Sequence, residues 1–110
     1  MEDKFKAYVV WLIASGSSEK ALQMLAEHYK VSMPQLTVGL PKGRKVNSLG
    51  CYDARTKTIT VLNSDILKEP FIILHEFYHH LRTRIDLQQK GTEKNADKFA
   101  KEFIEAYAKI

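Results

Sequence analysis

Two imidazoles four residues apart bracket a carboxylate in the run His75-Glu76-Phe77-Tyr78-His79. In an α-helix, residues four apart stack on one face, so these two rings can share one metal ion. Glu76 falls on the adjoining flank. There a carboxylate can serve as general base toward a water on the metal without occupying the metal itself. Downstream, Glu93-Lys94-Asn95-Ala96-Asp97 brings two further carboxylates at the same four-residue spacing.

Two helices must position these groups. The first spans 69 to about 85, where Phe71, Leu74, Phe77, Tyr78, Leu81 and Ile85 recur at three- and four-residue steps and form a stripe that faces a core. His75, Glu76 and His79, with Ile72 and Thr83, occupy a separate arc. The second helix spans 92 to about 109. Ala96, Phe99, Ala100, Phe103, Ile104 and Tyr107 form its apolar face, and Lys94, Lys98, Lys101, Glu102, Glu105 and Lys109 its charged face. Glu93 and Asp97 project into the apolar arc. Burying an unpartnered carboxylate costs on the order of several kcal/mol, so both need a positive charge or strong donors. A zinc ion on His75 and His79 would meet that need. Glu93 would complete a His-His-Glu set with the fourth position open, and Asp97 would accept from the far ring nitrogen of a ligand histidine. The alternative account makes Thr92 an N-cap and Glu93 a first-turn charge favoured by the helix dipole, which leaves Asp97 unexplained.

HEFYH followed by EKNAD resembles the gluzincin metallopeptidases, whose pattern is HExxH plus a downstream glutamate with an aspartate four residues later. The continuation Glu93-Lys94-Asn95-Ala96-Asp97-Lys98-Phe99-Ala100 is similar to the glutamate helix of membrane-embedded gluzincins of the heat-shock peptidase and prenyl-protein peptidase kind. Those proteins carry transmembrane helices and this sequence has none, so it resembles the minigluzincins, which look like soluble catalytic cores of the membrane enzymes. The resemblance covers about residues 59 to 107. It implies zinc, peptide-bond hydrolysis, and storage as a latent zymogen with the C-terminal segment obstructing the cleft. A rival resemblance, to the repressor-inactivating factors of mobile elements, would make the chain a regulatory or binding module without efficient turnover. Those proteins typically carry Asn at the position of Asp97. A structural zinc site is a further rival, but such sites are closed by four Cys or His ligands.

The mechanism the resemblance implies is hydrolysis of a peptide or protein substrate. Zinc held by His75, His79 and Glu93 polarises water and the scissile carbonyl, while Glu76 takes a proton and returns it to the leaving amine. Tyr52, Tyr78, His80 and Tyr107 are candidate donors to the developing oxyanion, each with a core or surface role as its alternative.

Length and composition set the frame. At 110 residues, 45% hydrophobic and 27% charged, the chain reads as one globular domain over 1–110. The lone Cys51 excludes an intrachain disulfide, fits a reducing cytoplasm, and is expected as a small core residue. A net charge of +4 arises from Lys42, Arg44 and Lys45, then Arg55 and Lys57, then Arg82 and Arg84. These clusters could attract nucleic acid or acidic substrates, but with no nucleic-acid-binding motif beside them they read as solvated surface, and a nucleic-acid partner is not expected.

The apolar run 7–14 is shorter than the roughly 20 residues a membrane span needs. Glu2 and Asp3 among the lysines before it deny it the charge bias of a signal peptide. It is expected as a buried helix backing the sheet and ended by Gly16. Ser17 or Ser18 caps a second helix to about Lys30, with Ala21, Met24, Leu25, His28 and Tyr29 inward and His28 as a core residue. From Pro34 the period changes. Residues 35–38, 48–52 and 58–62 read as three strands with a hairpin between the last two. The fold expected is α+β, a small antiparallel sheet with backing helices, one edge of which could pair with an extended peptide. Asn63, Ser64 and Asp65 offer caps, and Pro70 suits a first helical turn. The 86–91 connection is short enough for the last helix to exchange between two chains of a homodimer.

Overall fold

The computed structural model describes residues 2–39, 49–83 and 92–109. The element order is α1 (Glu2–Ala14), α2 (Ser18–Tyr29), β1 (Gln35–Val38), β2 (Gly50–Asp53), β3 (Thr58–Val61), a short 3-10 helix (Ser64–Lys68), α3 (Pro70–Arg82) and α4 (Thr92–Ala108). This is an α+β fold. The expected strand pattern is present, with β2 shifted toward Asp53. The basic residues at 42, 44, 45 and 84, and Ile85, lie outside the described residues.

The sheet is mixed rather than antiparallel. Its order is β1-β3-β2, with β2 antiparallel to β3 and β1 parallel to it. The central place of β3 follows from the apolar content of the strands. β3 carries Ile59 and Val61, both fully buried, and a strand with such a pair gains most when neighbours flank it on both sides. The hairpin supplies β2 on one side, which leaves β1 the other.

Helix α3 lies on the inner face of this sheet, where Ile73, Leu74 and Phe77 join Ile59 and Val61 in one core. Each fully buried side chain of this size contributes roughly 1.5–3 kcal/mol of transfer free energy. Ile73, which the three-and-four spacing passes over, is as buried as Leu74, whereas Phe71, Tyr78 and Leu81 are half-buried. The stripe is therefore rotated toward Ile73 from the one expected. Pro70 stands at the helix start, and Asn63 Oδ1 accepts from the Asp65 and Ile66 amides to begin the preceding 3-10 turn.

Helix α1 packs on α4 and α2 rather than chiefly on the sheet. Val9 and Ile13 join Leu22, Leu25 and Phe103 in the same core. Gly16 ends α1 at a φ of +96°, where a glycine avoids the left-handed penalty. Neither serine caps α2 as expected. Ser17 makes no side-chain cap bond, and the Ser18 hydroxyl donates instead to the Leu67 carbonyl. His28 is exposed rather than inward, stacked on Phe5 with ring centroids 4.1 Å apart. Tyr107 is likewise exposed on the last turn of α4, and Cys51 is half-buried on the outer sheet face opposite Thr60. Among the described residues no helix is long and apolar enough to cross a membrane.

Candidate metal centre

Helices α3 and α4 pack against each other, and their contact assembles the site. Phe77 and Leu74 bury one side of α3, which turns His75 and His79 toward the first turns of α4. On α4 the buried Ala96, Ala100 and Phe103 do the same for Glu93 and Asp97. Helical geometry makes the imidazoles neighbours, and docking of the second helix brings the carboxylate.

The two Nε2 atoms of His75 and His79 lie 3.3 Å apart. Glu93 reaches both, with Oε1 at 2.9 Å from His75 Nε2 and Oε2 at 2.9 Å from His79 Nε2. Among the described residues, these three offer one donor atom each within 4.8 Å of one another, a group able to hold a metal ion. The spacing suits that role. Nitrogens bound about 2.0–2.1 Å from zinc at the tetrahedral angle lie about 3.3–3.4 Å apart.

The protonation pattern supports the same assignment. Asp97 Oδ1 is 2.8 Å from His75 Nδ1, and a carboxylate only accepts, so the ring carries its proton on Nδ1. Neutral His75 then turns a bare lone pair on Nε2 toward Glu93 Oε1, itself an acceptor. Two acceptors at 2.9 Å repel unless a cation or an added proton lies between them. The donor set fits a divalent ion.

One expectation fails here. The spacing puts Glu93 and Asp97 in the apolar arc, yet the side chain of Glu93 is 76% exposed and that of Asp97 46%. Ala96, between them, is fully buried with Ala100, Phe103 and Ala106, so Glu93 and Asp97 stand on the flank of the packed face rather than within it. Relief of a buried charge is therefore not what draws them together; direct contact with the imidazoles is.

Glu76 is the buried carboxylate. It is 8% exposed, and burial pushes its carboxyl up to about 7, with His75 opposing the rise and Glu93 adding to it. A carboxyl near neutrality is matched to giving and taking protons. Burial also lowers the pKa of His79, against the pull of the Glu93 charge, which keeps that ring neutral and able to ligate.

Three of the four candidate oxyanion donors are engaged with other partners, and the fourth, Tyr107, lies at the far end of α4. His80 is buried beside the site, its Nδ1 2.6 Å from the Tyr52 hydroxyl and its Nε2 2.7 Å from the Ser32 carbonyl. Nε2–H donates to the carbonyl, so the hydroxyl donates to Nδ1. Tyr78 packs against Phe99 with centroids 5.4 Å apart. Tyr107, ten residues beyond Asp97 on α4, is about 15 Å further along that helix. Cys51 points to the sheet face away from α3, opposite to its neighbours Gly50 and Tyr52, and joins no ligand set. The Ser32–His80–Tyr52 chain ties the segment after α2 to α3 and β2; its sequence signal is a third histidine directly after the paired ones.

Compared with protein-family models, curated proteins and solved structures, the chain gives no match. The chemistry of the site rests on its own atoms.

Proposed function

We propose that the chain is a zinc-dependent hydrolase of peptide bonds, of the gluzincin type, acting in a reducing cytoplasm. The observation that carries this reading is the convergence of His75 Nε2, His79 Nε2 and a Glu93 oxygen within 4.8 Å, beside a buried glutamate next in sequence to the first ligand. Zinc at such a site supplies Lewis acidity, bringing the pKa of water toward about 7 and polarising a carbonyl.

The chain's residues divide the remaining work. His75, His79 and Glu93 hold the ion, and Asp97 keeps His75 in the tautomer that ligates. Glu76, with its carboxyl raised to about 7, accepts a proton from the attacking water and delivers it to the departing amine. Strand β2 is an edge of the sheet and packs along α3, which suits main-chain pairing with an extended peptide beside the site. A retained base speaks against a closed structural zinc site.

The test compares wild type with Glu76→Gln on casein, with zinc content measured for each. The reading expects about one zinc per chain in both, and cleavage by wild type alone. Equal cleavage by the two removes Glu76 from the reaction. Zinc in both with cleavage by neither assigns the chain to a binding or regulatory module of the repressor-inactivating-factor kind.

A further inference from the structure

The two edges of the sheet are not alike. β2 packs along α3, whereas β1 forms the opposite edge. The Gln35 amide donates to the Lys57 carbonyl and the Gly39 amide to the Val61 carbonyl. Peptide groups alternate in direction along a strand, so residues 35, 37 and 39 face β3 while Leu36 and Val38 turn their N–H and C=O groups outward. Among the described residues, nothing bonds to these two amides and two carbonyls. The strand, Gln-Leu-Thr-Val, carries no charge and no proline to guard the edge.

The inner face beside this edge is open as well. Leu36 and Val38 are in register with the fully buried Ile59 and Val61, yet Val38 is 51% exposed. Beyond it lies a hollow of about 470 Å³ lined by Leu36, Val38, Leu67 and the turn 16–20 that starts α2. The Ser18 hydroxyl donates to the Leu67 carbonyl and joins the two walls. The rim is basic. Lys20 lines the hollow and the Lys68 stem reaches Gly16, with Glu19 as the one lining carboxylate.

We propose that β1 is a docking edge for an extended segment of another protein, which adds as a fourth strand with alternate aliphatic side chains in the hollow and an acidic one toward Lys20 and Lys68. Outward amides and carbonyls two residues apart are matched by another extended main chain, and the hollow takes the side chains that such a strand turns inward. The basic rim selects an acidic neighbour. A second copy fits less well. Pairing β1 with itself joins four residues from each chain, far short of the roughly 800 Å² per partner that a stable interface buries. No ligand of the metal takes part, so the proposal stands apart from the hydrolase reading.

The test titrates the full chain against a fluorescein-labelled peptide, Thr-Val-Thr-Val-Thr-Glu-Thr, followed by fluorescence anisotropy. Saturable binding is expected with Kd below about 1 mM. Val38→Pro removes an outward donor and leaves the bonds to β3, and is expected to weaken binding about tenfold. Lysine in place of the peptide's glutamate should weaken it about threefold. Absence of saturation, or equal affinity in Val38→Pro, overturns the proposal, and equal binding of the lysine peptide overturns the acidic partner. Should Val38→Pro not fold, two N-methylated peptides decide, one methylated at the valines and one at the intervening residues. Loss of binding with one set alone supports edge pairing, and equal effects of the two sets overturn it. Self-association in light scattering without peptide binding gives the edge to a second copy and also overturns the proposal.

Discussion

Asp97 Oδ1 stands 2.8 Å from His75 Nδ1, and through this contact a residue that touches no ion governs which ring nitrogen is free to bind one. Removing the acceptor releases the ring to the other tautomer and to rotation. Asp97→Ala is expected to weaken zinc binding by about 10- to 100-fold while leaving the fold intact, as read by competition with a chromophoric chelator. An unchanged affinity would show that the contact is incidental.

The candidate ligands come from two helices, so an ion bound by His75, His79 and Glu93 would tie α3 to α4 and stabilise the native state alone. At free zinc about 100 times Kd, the gain is about 2.7 kcal/mol. For a domain of this size that raises Tm by roughly 10–15 °C. His79→Ala should abolish the zinc-dependent rise in a thermal melt. A rise of equal size in that variant would place the ion elsewhere.

Glu76 carries a stability cost with a definite pH window. Its folded carboxyl lies near 7 against 4.5 for the free group, so between these values the native state binds more protons than the unfolded chain. Stability from this group therefore falls as pH rises through the window and is lowest above it. At about 1.4 kcal/mol per pH unit, the full cost is about 3 kcal/mol. In chelator, Glu76→Gln is expected to match wild type at pH 4 and exceed it by up to about 3 kcal/mol at pH 8, measured by urea unfolding. No difference at pH 8 would show that the carboxylate is well solvated.

The Tyr52–His80–Ser32 chain makes a different demand. Tyr52→Phe keeps the ring and removes the donor, which strands Nδ1 of a histidine that is 7% exposed. An unpaired buried acceptor costs roughly 1–3 kcal/mol. The urea midpoint should fall accordingly with an unchanged slope. A midpoint at the wild-type value would mean that water satisfies the nitrogen.

Legibility followed the range of the interaction. The pairing of His75 with His79 could be read directly, because the α-helix repeats locally and four residues always span one turn. The start of α3 was legible through Pro70, and the short 3-10 turn before it through the Asn63 cap, for the same reason. Glu93 and Asp97 were identified as partners of the imidazoles, but for a reason the fold does not bear out: they were assigned to the interior, and they stand at the rim of the α3–α4 contact. Hydrophobic spacing marks the general inward side of a helix, whereas which residues on its flanks are covered depends on the partner: Ala96 is fully buried between two exposed carboxylates. His28 shows the same limit, since its place on the inner face of α2 was overruled by the ring of Phe5, which holds it at the surface.

By itself the sequence determined the α+β class, the helical pairing of the two histidines, the glutamate beside them and the extended character of 58–61, all properties of neighbours along the chain. Tertiary structure alone decided that β1 runs parallel to β3 and that Glu93 reaches both Nε2 atoms at 2.9 Å. These last depend on how separate elements dock. Docking is set by the summed burial of Ile59, Val61, Ile73, Phe77 and Phe103 in one shared core, and that sum is not written in the spacing of any single segment.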